Sequence, residues 1–159
     1  MPTTFPSSVT EATSDTVQDC RRRGWTVAET TNGVCLITDE QISAIELTGA
    51  LAATVRRYLR ANNLSGPVIE IPGPQRREIH LVVGAAKAAM AIGALRGVGA
   101  IVHTDGASIP LPPTRLSAGS ACWGISPSEA RWVPPVVAIA AAVRTAESGR
   151  KRHLADLAS

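Results

Sequence analysis

Aromatic side chains are almost missing from this chain of 159 residues, which carries three Trp, one Tyr and one Phe. Its core must therefore rest on Ala, Val, Leu and Ile, and any base or ring stacking has to come from Trp25, Trp123 or Trp132. Cysteine is scarce as well. Cys20, Cys35 and Cys122 are odd in number and contain no C-x-x-C pair, which argues against a disulfide framework and suits a reducing, cytoplasmic setting. No apolar run approaches the roughly 20 residues that span a bilayer, so no membrane partner is expected. The Ser/Thr/Pro-rich opening lacks the basic start and apolar stretch of a signal peptide. A P-loop, a dinucleotide glycine fingerprint, H-E-x-x-H and G-x-S-x-G are all absent. Charge is nearly balanced, with 16 Lys+Arg against 13 Asp+Glu and a formal net charge of +3. Such a balance permits an acidic partner and does not require one.

What is present reads as one α+β domain. Residues 1–13 read as a disordered lead, 14–148 as the folded unit and 149–159 as a basic tail. A helix is expected from Ser14 to Arg23, stopped by Gly24. Trp25–Glu29 and Val34–Thr38 alternate at period two around Thr31-Asn32-Gly33, the pattern of a hairpin. Ile42-Ser43-Ala44-Ile45-Glu46-Leu47 fits either a strand or a helix start. From Gly49, Leu51, Val55, Tyr58 and Leu59 share one helical face, and Arg56, Arg57 and Arg60 take the other. Val68–Ile71, Glu78–Val83, Gly99–His103, Ser108–Leu111 and the segment around Trp123 read as strands. Ala85–Leu95 reads as an Ala-rich helix, and a last helix opens at Pro134-Pro135 and runs through Ala146. The sum is a mixed, largely antiparallel sheet with helices packed on it.

Two-metal nucleotidyl transfer needs at least two carboxylates facing one site. Asp39 and Glu40 are adjacent, and neighbours on a strand point to opposite faces. Glu46 has Ala44 two residues before it. Asp105 follows His103-Thr104, where pairing with His103 competes with an ordinary turn. Glu78 and His80 share one strand face, and Arg77 takes the other with Ile79. The arginines form four groups: 21–23, then 56, 57 and 60, then 76 and 77, then 115. Two or three of these gathered by the fold would make a groove for a nucleic-acid backbone. Pro112-Pro113 fixes φ and lacks N–H donors, which predicts extended backbone there, and Arg115 would leave this stiff support at a low entropic cost of meeting a phosphate.

The run Arg23-Gly24-Trp25-x-Val27, the strand bearing His80, and Pro112-Pro113-Thr114-Arg115 followed by Gly119, Trp123 and Pro127 resemble the primase–polymerase N-terminal domain. The likeness is closest to short stand-alone actinobacterial versions and spans about residues 14–146. It implies a primase–polymerase-like fold. In active members an acidic pair two residues apart on a strand holds two divalent metals, a histidine contacts the nucleotide phosphate, and a further acid completes the site. Carried over residue by residue, Glu46 matches the second acid, Ala44 stands in place of the first, His80 matches the histidine, and Asp105 is a candidate third acid.

The leading expectation is thus a degenerate, non-catalytic module that binds nucleic acid, nucleotide or a protein partner. Its candidate contacts are Arg56, Arg57, Arg76, Arg77, His80 and Arg115. One alternative is an active primase/polymerase with Asp39, Glu46 and Asp105 as catalytic acids, and Mg or Mn as cofactor only in that case. The other is a homo-oligomeric interaction protein using the helix around Val136–Val143 as its interface.

Overall fold

Glycine and proline divide the chain where the elements break. A computed structural model describes residues 7–158, with side chains from residue 12. Helix α1 spans Ser7–Arg22, and Gly24 turns the chain at φ +81, a left-handed value that glycine adopts without strain. The helix starts seven residues before the expected Ser14, so 7–13 form its first turns. Residues 1–6 of the expected lead lie outside the described residues. Strands β1 (Thr26–Thr30) and β2 (Gly33–Ile37) form the expected hairpin.

Strand β3 (Ser43–Thr48) then leads directly into helix α2 (Gly49–Ala61). Asn63 closes α2 at φ +56 while the Leu64 amide donates to the Leu59 carbonyl at 2.8 Å, a left-handed helix end. Strands β4 (Val68–Ile71) and β5 (Arg77–Val82) follow. The expected Ala-rich helix splits into a single 3-10 turn, Ala85–Lys87, and α3 (Ala89–Gly97). Strands β6 (Ile101–His103), β7 (Ser108–Leu111), β8 (Arg115–Leu116), β9 (Gly119–Ser120) and β10 (Cys122–Ile125) precede α4 (Val136–Ala158).

Where one mixed sheet was expected, the strands divide into a five-stranded sheet ordered β10-β4-β5-β3-β6, a three-stranded sheet β1-β2-β7 and the small β8-β9 hairpin. Every ladder among the described residues is antiparallel, and the parallel element reduces to an isolated bridge between Val83 and Pro135. Gly66 lets this junction close, because a Cβ there would stand 2.1 Å from Pro134 Cδ.

The five-stranded sheet is buried on both faces. On one, Ile45, Leu47 and Val82 pack against α2, α3 and α4. On the other, Ala44, Ile69, Ile79 and Leu81 pack against α1 and the three-stranded sheet. The largest fully buried side chains are all Leu or Ile, the aromatic-poor core that the composition demands. Each contributes on the order of 2 kcal/mol.

Three further expectations are corrected. In α4, Val136, Ala138, Ile139, Ala140, Ala142 and Val143 are buried within the chain's own core, so that face is not available as an oligomer interface. The same helix, expected to run through Ala146, continues without a break to Ala158, through the residues read as a basic tail of frayed-helix character. Pro112 and Pro113 lie in a turn and are joined by a cis peptide bond, where extended backbone was expected. Thr114 anchors the turn: its buried hydroxyl accepts from the Val34 amide at 2.9 Å and donates to the Val34 carbonyl at 2.7 Å.

Candidate functional site

Helix α2 organises the site. Ala52, Val55 and Leu59 are its buried residues, and the 3.6-residue period turns Arg57 and Arg60 to solvent with Arg56 at the margin. Arg56 reaches over the sheet. There Glu70 on β4 and Glu78 on β5 are direct cross-strand partners, a placement in which like charges repel. Arg56 Nη1 sits between them, donating to Glu70 Oε1 at 3.0 Å and to Glu78 Oε1 at 2.8 Å. Arg76 donates to the same Glu78 oxygen through Nε, at 2.8 Å, and through Nη2. Gly124 on β10 leaves the space: a Cβ there would stand 2.8 Å from Glu70 Oε1 and 3.1 Å from Arg56 Nη1.

Glu78 is 0% exposed and His80 1%. Burial pushes the Glu78 carboxyl up, but the groups around it, His80, Arg76 and Arg56, together outweigh burial and hold it at about 2. His80 Nε2 lies 3.5 Å from Glu78 Oε2, at the outer limit of a hydrogen bond. Neither of those two atoms has another partner. For Arg56, burial disfavours the charge, and its bonds to Glu70 and Glu78 raise its pKa above the ordinary arginine value.

Above this network opens a depression of about 680 Å³, lined by Arg56, Arg57, Arg60, Arg76, Ser65, Gly124 and their neighbours. Glu129 stands on its rim, so with Glu70 and Glu78 there are three carboxylates against four guanidiniums. The charge is unevenly distributed, however. Arg56 and Arg76 are committed to the buried glutamate, whereas Arg57 and Arg60 form no ion pair among the described residues. Arg57 makes only a long bond, 3.4 Å, to the Thr54 hydroxyl. It also borders a second depression of about 590 Å³ between α2 and α4, which Arg150 and His153 line. Arg76, Arg56, Arg60, Arg57, His153 and Arg150 thus form one basic band across α2.

The remaining candidates go elsewhere. Glu46 and His80, matched above to one family site, lie on opposite faces of the sheet, because His80 pairs directly with Ile45. Glu46 accepts from Arg77 Nε at 3.0 Å and approaches His103 Nε2 at 3.1 Å. His103 holds its carboxyl below the ordinary range, with Arg77 helping against the upward push of burial. Arg77 therefore serves Glu46 and not the groove, and His103 pairs with Glu46 rather than Asp105. Asp39 accepts the Gln41 and Ile42 amides at 2.8 and 3.0 Å, a local turn. Asp105 sits in its own turn at φ +57. No group of three or more His, Cys, Asp or Glu among the described residues could hold a metal, so Asp39, Glu46 and Asp105 are not gathered. Arg115 is exposed on β8 and lines neither depression.

Arg60 lies on the polar face of α2 and is not among the contacts expected above. Its spacing, four residues after Arg56 and three after Arg57, is the helical signal that sets it beside them. Ser65 and Gly124 carried no sequence signal, since distant chain segments bring them in. Comparison with known proteins found no matching family model, no matching curated protein and no matching solved structure.

Proposed function

We propose that the chain is a non-catalytic, primase–polymerase-like module that holds a nucleic-acid backbone along the basic band over α2. One observation carries the reading: Arg57 and Arg60, which form no ion pair among the described residues, stand beside Arg56 and Arg76, whose guanidiniums are fixed by buried Glu78. Fixed and free guanidiniums in a row supply both the geometry and the unspent charge that successive phosphates need. The band bends around a helix and joins two depressions, which suits a polymer better than a single small anion.

Three features of the sheet support the binding reading over the catalytic one. Ala44 offers no acid, the Glu46 oxygens face Arg77 and His103, and His80 is on the other face. The family likeness rests on the residues quoted for it and adds the fold type to the proposal.

The test is a titration of a labelled oligonucleotide at several salt concentrations, with wild type and the Arg57→Ala/Arg60→Ala pair. Losing two phosphate contacts to a single strand lowers the slope of log K against log salt by about 1.4. Unchanged affinity and slope would overturn the band. Triphosphate binding that requires Mn²⁺ would instead restore the nucleotidyltransferase reading.

A further inference from the structure

A smaller depression, of about 300 Å³, draws on neighbouring segments of the chain. Its lining includes Arg23, Trp25, Pro67, Pro127, Arg131 and Trp132. The 680 Å³ depression is bordered by Ser65, Ile125 and Glu129, so the segments 65–67 and 125–130 contribute lining residues to both.

The two tryptophans differ in their surroundings. Trp25 packs against the core with the Arg23 guanidinium 5.8 Å from its ring centre, within cation–π range. Trp132 is 42% exposed, a large ring left partly in water beside a second aromatic and two guanidiniums. Arg131 is exposed and forms no ion pair among the described residues. The turn that presents them is held in place: the Ala130 and Glu129 amides donate to the Ser126 carbonyl at 2.9 and 3.1 Å, and Pro127 is buried. Trp132 is thus offered from a firm support, which limits the ordering cost of a contact.

We infer that this depression takes an unpaired nucleobase, stacked on Trp132, with Arg131 meeting the adjoining phosphate. The inference rests on the backbone reading above and narrows it to single strands. In a duplex the base faces are already stacked on one another; in a single strand they are free for an aromatic platform, which every base can use. A depression of this size admits one planar ring and not a helix.

The probe is a labelled oligothymidylate compared with a sugar–phosphate oligomer of equal length that lacks bases. Wild type, Trp132→Ala and Trp132→Phe are titrated with each, and thermal melts confirm that the exposed substitutions leave the fold intact. Wild type should bind the thymidylate roughly tenfold more tightly than the abasic oligomer. Trp132→Ala should bring the thymidylate down to the abasic level, Trp132→Phe should keep most of the preference, and abasic binding should not change. Equal wild-type affinity for the two oligomers, or a thymidylate affinity untouched by Trp132→Ala, would overturn the stacking pocket and leave the band standing. Failure of wild type to bind either oligomer would overturn both.

Discussion

Replacing Glu78 by glutamine keeps the shape of a fully buried side chain and removes the charge that two arginines hold. A carboxyl at about 2, against an ordinary 4.5, corresponds to about 3 kcal/mol of folding free energy at neutral pH. The folded-state value is depressed, so this contribution is complete above the unfolded value and is lost as pH falls from about 4.5 toward about 2. At pH 3, about 2 kcal/mol of it is gone. The buried-pair penalty stays near the lower end of its range, because Arg76 and, less readily, Arg56 can turn toward solvent once released. The assay is urea unfolding of wild type and Glu78→Gln at pH 7 and at pH 3. Other carboxylates titrate equally in both proteins, so the gap between them isolates Glu78. That gap should be about 3 kcal/mol at pH 7 and about 1 kcal/mol at pH 3. No gap at neutral pH, or a gap of constant size, would refute the argument that Arg56 and Arg76 hold a charged Glu78.

Arg115→Ala, in contrast to Arg76→Ala, should leave oligonucleotide affinity and its salt slope unchanged in the same titration, because Arg115 stands outside the band. Thr114→Val removes both hydrogen bonds to Val34 and should cost about 2 kcal/mol in chemical denaturation. Gly66→Ala must force Pro134 aside and should lower stability by more than about 2 kcal/mol. Gly93→Ala is its control: nothing stands within 4 Å of a Cβ there, and the exposed α3 position should gain about 1 kcal/mol in the same thermal melts.

Much of the secondary structure can be read from local pattern. The hairpin at Asn32-Gly33, the amphipathic α2 and the strand bearing His80 all follow from period and turn chemistry. Ile42–Leu47 resists such reading because β3 is buried on both faces, and two-sided burial erases the alternation that marks a strand. The separate three-stranded sheet is equally hidden, since it depends on β7 pairing with β2 across about 70 residues of chain. In the candidate site, the arginines of α2 are visible as a helical stripe. Their partners are not: Glu70 faces Glu78 only through strand register, and Arg56 joins them only because β10 contributes a glycine. Arg115 shows the opposite error, a conspicuous motif whose stiffness serves the Thr114 anchor.

Helix α4 joins two regimes in one rod. Its 23 residues extend for roughly 34 Å, and burial ends at Val143 with every position from 148 to 158 exposed. The first turns can open only when the core opens, while the last, with exposed side chains throughout, can open without it. Amide hydrogen exchange should therefore form a gradient along one unbroken helix, from globally protected amides near Val143 to rapid exchange near Leu157. A reporter placed at Leu157 would sense helix–coil fluctuation, and one at Ala142 would sense unfolding of the whole chain.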